Sequence, residues 1–410
     1  MDFARKVLDT PAPHVHAWNS QATSHPVGAE FIIMNKVEGV PLSQKKWLSV
    51  SFSQYGSLYY AGDVQSPEGN QYIRDGMAVK DSGFAIGPAT GRDWSDACRS
   101  ELGIDRGPWA SSTQYLQAVG IREMEATRSL VPLKQIALFR GPRFYQPNME
   151  NKLTALSCYQ KIVDALIPKD AAINNACIWH NDLHDDNIFV DPYNPETITG
   201  IIDWQSCHIS PLFNHNPDPA FLDWDGLEPK TLDLAPRPTL SGLSPKERSA
   251  AMRDYTVQNV FIVWRKLMHA KNPDLYRAVE FRKTAAYGLI SLAHRMFEYG
   301  EAHFLSLLVD LKDTWTGLPG VTSGIPFPFE FSETDIERIK LDGDNAAVGT
   351  ELMAEIKEQM GDLWPDKGLI EHERYEACKA ALEEIKRQIL DQLAETDQEK
   401  AEYERYWPFE

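Results

Sequence analysis

The chain has 410 residues, 43% of them apolar and 24% charged, with a formal net charge of −18. This ordinary globular composition argues against wholesale disorder, a collagen-like repeat or a coiled coil, and the length leaves room for two domains. Eighteen excess negative charges argue against nucleic acid and anionic membrane as partners, since both need a basic face, and favour a cationic or neutral substrate.

Half of that excess falls late, because residues 351–410 hold 17 acidic and 8 basic residues. The five cysteines (Cys98, Cys158, Cys177, Cys207 and Cys378) are scattered and odd in number, with no CxxC pair. They read as reduced intracellular thiols, neither a disulfide framework nor a zinc site. No apolar run approaches the ~18 residues of a membrane span. The opening MDFARKVLDTPAPH reads as neither a signal peptide nor a transit peptide, which favours the cytoplasm.

In chain order, Phe3 to Leu8 read as the end of a helix stopped by Thr10-Pro11-Ala12-Pro13. Two strand-like runs follow, HVHAW (14–18) and FIIMNKV (31–37), the second ending at Glu38-Gly39. SLYYAGDVQ (57–65) and QYIRDGMAVK (71–80) are predicted to pair as a hairpin through a turn at Pro67 to Gly69. The Gly/Pro-rich GFAIGPATGRDW (83–94) is expected to be an irregular loop. Residues 111–166 carry a helical pattern interrupted near Gly141-Pro142.

Further on, Ser244-Pro245-Lys246-Glu247 combines an N-cap serine, an N1 proline and a capping-box glutamate. The helix it opens is expected to turn Val260, Phe261, Val263, Trp264 and Leu267 inward. Ser332 with Asp335 marks another helix start, and the last helix spaces Tyr375, Cys378, Leu382, Ile385, Ile389 and Leu393 three to four apart. Aromatics of the 255–315 stretch read as core. Asp223 and Asp225, flanking Trp224, read as a loop turn in preference to a cationic-substrate pocket. A few strands followed by mostly helix predict an α+β fold.

The chemistry concentrates in IWHNDLHDDNIFVD (178–191) and ITGIIDWQS (198–206). His180-x-Asp182-x-x-x-x-Asn187 precedes a strand, a turn and a second strand that ends at Asp203. That order returns the Asp203 carboxylate to the Asp182–Asn187 loop. Phosphoryl transfer from ATP needs such a group: one Asp accepts the hydroxyl proton, while an Asn and a second Asp hold Mg²⁺ through oxygen. His180 would brace the loop. A rival reading gathers His180, Asp182, His184, Asp185 and Asp186 into the metal centre of a hydrolase, with HVH (14–16) or His208 and His215 as loose further ligands. It leaves Asn187 and the IIDW strand unexplained.

WHNDLHDDNIFVD…IIDW resembles the aminoglycoside phosphotransferase and choline kinase-like families, and among them the fungal altered-inheritance-of-mitochondria branch. PAPHVHAW, HPVGAEFIIMNKVEGVPL, FAIGPATGRDW and DRGPWASSTQYLQAVGIRE extend the resemblance over almost the whole chain. The resemblance implies a protein-kinase-like fold, Asp182 as catalytic base, and Asn187 and Asp203 as Mg²⁺ ligands. It further implies that the backbone from Asn35 to Val37 meets the adenine of ATP, and that the protein is mitochondrial.

No G-x-G-x-x-G and no Walker A pattern occurs in the chain. Lys36 imitates a strand lysine but reads as a solvated hinge residue, because nothing Gly-rich precedes it. By the resemblance, Met1 falls inside the helix that carries the paired glutamate, so the Gly-rich loop and strand lysine would lie upstream. The expected organisation is a truncated N-terminal lobe and hinge at 1–40 and a large, mostly helical C-terminal lobe at 41–320. An acidic helical extension at 321–410 is open to docking a protein partner. The expected function is phosphorylation of a small hydroxyl compound, with the acidic balance favouring a cationic one, and with turnover absent or severely reduced. A non-catalytic pseudokinase or scaffold linked to mitochondrial maintenance is the alternative, and the metal-dependent hydrolase comes third.

Overall fold

The computed structural model describes all residues except 13, 20–30, 35–46, 65–70, 133–136, 220–221, 223, 225, 323, 366–369 and 410; at 15, 18–19, 31–34, 195–196 and 206 it describes backbone alone. A short helix, α1 (Asp2–Lys6), leads to β1 (Val15–Asn19), β2 (Phe31–Met34), β3 (Val50–Phe52) and β4 (Ser57–Tyr60). Then come β5 (Gln71–Arg74), β6 (Met77–Lys80) and β7 (Phe84–Gly87), followed by helices α2 (Ser112–Ser129) and α3 (Met149–Leu166). Next are β8 (Ala176–Trp179), β9 (Ile188–Asp191), β10 (Asn194–Ile201) and β11 (His208–Pro211). The remainder is helical: α4 (Pro245–Lys271), α5 (Pro273–Arg282), α6 (Ala285–Ala293), α7 (Glu301–Thr314), α8 (Glu333–Met360), α9 (Tyr375–Leu393) and α10 (Asp397–Tyr406). The α+β expectation holds.

Two compact units result, the first from Met1–Ser95, Arg106–Tyr115 and Pro168–Lys283, the second from Asp96–Asp105, Leu116–Ile167 and Thr284–Glu410. In the first, an antiparallel sheet runs β11-β8-β3-β5-β6. Every residue of β8 is buried. Trp47 packs edge-on against both Trp179 and Trp204, and its indole N–H donates to Thr10 Oγ1 at 3.0 Å. The N-terminal segment is thereby tied to the centre of the unit.

The predicted hairpin is corrected here. QYIRDGMAVK folds on itself, β5 against β6, around Asp75 (φ 50°) and Gly76 (φ 77°). Two positive φ values make a type I′ turn, whose twist suits a two-residue hairpin and whose signal is Asp-Gly. SLYY pairs instead with FAIG, β4 against β7, so part of the expected irregular loop is a strand. Gly87 admits that pairing, since a Cβ there would sit 2.7 Å from the Tyr59 ring.

Ser244 and Glu247 form the expected capping box of α4, but the inward face is rotated. Phe261, Ile262, Arg265 and Met268 are buried, while Val260, Val263 and Leu267 are exposed. Arg265 causes the difference. Its guanidinium is clasped by Asp218 and by Glu228 (Nε to Oε1 2.6 Å, Nη2 to Oε2 2.9 Å) and lies 4.3 Å from the Phe261 ring centroid. A cation neutralised in this way can occupy a buried position.

In the second unit α7 packs on α6, α3 and α8, and α9 lies between α8 and α10. Cys378, Ile385 and Ile389 of α9 join Phe139, Ile356 and Tyr403 in one apolar core, as their spacing predicts, although Tyr375 is exposed. Ser332 and Asp335 cap α8 reciprocally. Gly349 of α8 lets the backbone of Phe139 approach: Phe139 N–H donates to Gly349 O at 3.1 Å, and a Cβ would lie 2.6 Å from Phe139 O.

Candidate functional site

The chain leaves the buried strand β8 at His180, which is itself buried. Its Nε2 donates to the carbonyl of Ile202 at 2.7 Å, and burial lowers its pKa, so the ring is a neutral brace. The Ile202 N–H in turn donates to the carbonyl of Asn187 at 3.0 Å. The backbone of Ile202 is thus held by both ends of the loop, through its N–H and its C=O, and the residue after it is Asp203. Asp203 adopts φ 63°, ψ 52°, a left-handed conformation that a short polar side chain tolerates better than most. Trp204 follows, its ring 4.9 Å from His180 and its indole N–H on Ile201 O at 2.8 Å. The β9–β10 hairpin that returns the chain is closed by Asp191, whose carboxylate accepts from the N–H groups of Tyr193 and Asn194.

Between these anchors, Asn187 ends a single 3₁₀ turn, its N–H donating to His184 O at 3.1 Å. Its side chain is buried, and both described contacts use Nδ2: it donates to Asp182 O at 2.9 Å and lies 3.0 Å from His184 Nε2. Oδ1 is left for another partner. The Asp182 carboxylate is 45% exposed, with His184 Nε2 at 3.9 Å. Asp203 Oδ1 is buried and accepts no hydrogen bond from any described residue. A buried carboxylate oxygen without a donor is costly unless a cation or water meets it. Two oxygens, Asn187 Oδ1 and one from Asp203, are the hard donors that Mg²⁺ takes, so these residues fit the metal.

Of the sequence-predicted residues, His180 and Asn187 therefore meet at the backbone of Ile202, Asp203 follows it in the chain, and Asp182 is tied to Asn187 through its carbonyl. The rival set divides. His184, Asp185 and Asp186 can bring one ligand atom each within 4.8 Å of one another, but His180 Nε2 is committed to Ile202. His215 is buried with Nε2 2.9 Å from Cys177 O, and burial pushes its pKa down to about 3. His14 and His16 stack on each other in and beside β1. All five cysteines are free, and burial raises the pKa of Cys177 and Cys207, which keeps both as thiols. Asn35, Lys36, Val37, Asp223 and Asp225 lie outside the described residues. A cavity of about 250 Å³ in this unit is lined by residues of α1, β4 and β7 and includes none of the converging residues.

Some supporting residues had no sequence signal. His215 Nδ1 lies 3.2 Å from the amide of Asn181, which sits between His180 and Asp182. The Trp179 indole N–H donates to Asn216 O at 2.8 Å, and Asn216 Oδ1 accepts from the N–H of Asp218, the residue that Arg265 clasps. The loop after β11 is thus fastened at two places, to β8 and to α4.

Residues 141–214, which contain this site, match the phosphotransferase enzyme family. A subtelomeric hrmA-associated cluster protein of Aspergillus fumigatus is 29% identical over 289 residues, 58% of this chain and 54% of that protein. Altered inheritance of mitochondria protein 9 of Lachancea thermotolerans is 26% identical, covering 57% of this chain and 44% of its own length. The Saccharomyces cerevisiae protein of that name is 24% identical over 391 residues, 82% of this chain and 61% of its own. The chain thus spans about half the length of the curated relatives it matches. No solved structure matches it. The resemblance read from the catalytic-loop motif is borne out. No helix among the described residues is long and apolar enough to cross a membrane.

Proposed function

We propose that the first unit carries the phosphoryl-transfer site of an ATP- and Mg²⁺-dependent small-molecule phosphotransferase. Asp182 is the proton acceptor, His180 the brace, and Asn187 and Asp203 the metal ligands. The observation that carries this reading is the backbone of Ile202, its C=O held by His180 and its N–H by Asn187, which leaves Asp203 next to the loop with an open buried oxygen. Magnesium bound by these oxygens supplies neutralisation of phosphate charge. The half-exposed Asp182 carboxylate accepts the proton of an incoming hydroxyl, while Asn187 Nδ2 holds the Asp182 carbonyl and keeps the carboxylate facing solvent. The acidic balance of the chain favours a cationic hydroxyl compound.

A second reading, a binding or scaffold module without turnover, is supported by the names of the altered-inheritance-of-mitochondria relatives, which state no activity. A mitochondrial location rests on the names of the relatives, and a cytoplasmic one on the composition.

Titration with Mn²⁺, followed by electron paramagnetic resonance, tests the metal assignment. Wild type is expected to bind, and Asn187→Ala to bind at least tenfold more weakly; equal affinities overturn the ligand set. Calorimetry with Mg·ATP and a coupled ADP assay over a panel of amino-alcohols separate the two readings. Turnover abolished by Asp182→Asn establishes the enzyme. Metal binding with no turnover establishes the scaffold.

A further inference from the structure

Two helices of the chain present unpartnered outer ridges of opposite charge. On α4, Arg253, Thr256, Val260, Val263, Leu267 and Ala270 recur at alternating intervals of three and four, and all are exposed. Val260 is 50%, Val263 43% and Leu267 50% exposed. That alternation is the seam along which one helix lies lengthwise on another. Lys266 and Lys271 border it, and neither they nor Arg253 pair with an acid among the described residues.

The outer ridge of α8 has the same alternation. Glu337, Leu341, Asp344, Val348, Glu351 and Glu355 are all exposed, Leu341 at 60% and Val348 at 51%. None of its four acids has a basic partner among the described residues. At 1.5 Å per residue both ridges are about 26 Å long.

We propose that α4 of one copy packs antiparallel along α8 of a second copy. When the two ridges are centred on each other, the antiparallel register sets Val260 level with Val348, Leu267 with Leu341, Arg253 with Glu355 and Ala270, beside Lys271, with Glu337. Val263 then falls level with Asp344 and Thr256 with Glu351, so two apolar pairs form. The parallel register forms one, Val263 with Val348, and sets both Val260 and Leu267 level with carboxylates, those of Asp344 and Glu351. Antiparallel packing also opposes the two helix dipoles favourably. Pairing α4 with another α4 would bring Lys266 and Lys271 against a second cationic ridge. An anionic membrane is disfavoured by the narrow seam, which carries no Trp or Phe, and by the net charge of −18. One helix pair falls short of the roughly 1,200 Å² of a standard interface, so weak, salt-sensitive association is expected, closing as a dimer only where the contact repeats reciprocally.

Sedimentation velocity of the full chain over a concentration series tests this, with circular dichroism confirming that each variant is folded. Wild type is expected to associate reversibly, and less so in high salt. Leu267→Asp is expected to abolish association. Arg253→Glu and Glu355→Arg should each weaken it about tenfold, and the two together should restore it, which a contact not pairing these positions would not do. A monomer at every concentration overturns the proposal. So does an association that both single reversals leave intact, and so does binding to anionic vesicles that Leu267→Asp removes.

Discussion

Glu123 of the second unit and Asp203 of the first each bury carboxylate oxygen, and the two are treated in opposite ways. In the second unit Glu123 is fully buried and accepts from Arg99 Nε and Nη2, from Arg122 Nε and from the backbone N–H of Phe297, all at 2.9 to 3.1 Å. Arg99 is further held by Glu298 at 2.7 Å, and Arg122 Nη2 donates to His294 O. In the first unit Asp203 keeps an oxygen buried with no donor from any described residue. The closed carboxylate fastens α2 to neighbouring segments of its own unit and has no capacity left for a ligand. Glu298 Oε2 and Glu301 Oε2 of the second unit are also buried without a donor, but each of those carboxylates has a basic partner, Arg99 and Lys152. Asp203 has no basic partner among the described residues, which leaves it capacity for a cation.

The largest expected effect breaks the closed side. Glu123→Ala leaves the buried guanidinium groups of Arg99 and Arg122 without their shared acceptor, and losing one partner of such a network costs about 3–5 kcal/mol. Urea unfolding, read by a probe in the second unit, measures it. A loss below about 1 kcal/mol would mean that surrounding carbonyls and Glu298 suffice, and the closed carboxylate would lose its structural meaning.

A smaller effect tests the neutral histidine in the first unit. Burial holds the folded pKa of His215 at about 3, well below its ordinary value. Between these two values the unfolded chain takes up a proton that the native state refuses. Stability therefore falls as pH drops below about 6.5 and stops falling on this account near pH 3. By pH 5 the loss from this one group is about 2 kcal/mol. Measuring unfolding free energy from pH 7 to 5 checks it, and His215→Gln should flatten that limb. An unchanged slope in the variant would place the acid sensitivity elsewhere.

How much of this was legible in the sequence divides along local and distant causes. That His180, Asn187 and Asp203 come together was legible because a strand, a turn and a second strand return the chain to the loop. The capping boxes at Ser244 and Ser332 were legible because they close within four residues. The phase of α4 was not, because Arg265 is buried only through Asp218 and Glu228, 47 and 37 residues away. The β5–β6 turn is written in Asp75-Gly76, but Pro67 to Gly69 carries turn residues of the same kind a few positions earlier, and local composition does not rank the two. FAIG is too rich in small residues to show a period of two, and only its pairing with SLYY makes it a strand. The placement of Asp203 depends on both backbone groups of Ile202 being bonded to the loop, which no spacing rule contains.

The smallest effect on stability bears on the open side and sharpens the comparison most. Asp203→Asn keeps the size of the side chain, and Asn tolerates the left-handed backbone there at least as well as Asp. No cationic partner is stranded by the change, because no described residue donates to Oδ1. The unfolding free energy without metal should therefore move by no more than about 0.5 kcal/mol. Saturating Mn²⁺ should separate the two proteins: a hundredfold excess over the dissociation constant stabilises a binding protein by about 2.7 kcal/mol and leaves a non-binding variant unchanged. If Asp203→Asn alone costs as much as Glu123→Ala, Asp203 is a closed structural carboxylate like its counterpart. If it costs nothing and Mn²⁺ still stabilises the variant fully, the open oxygen serves no metal.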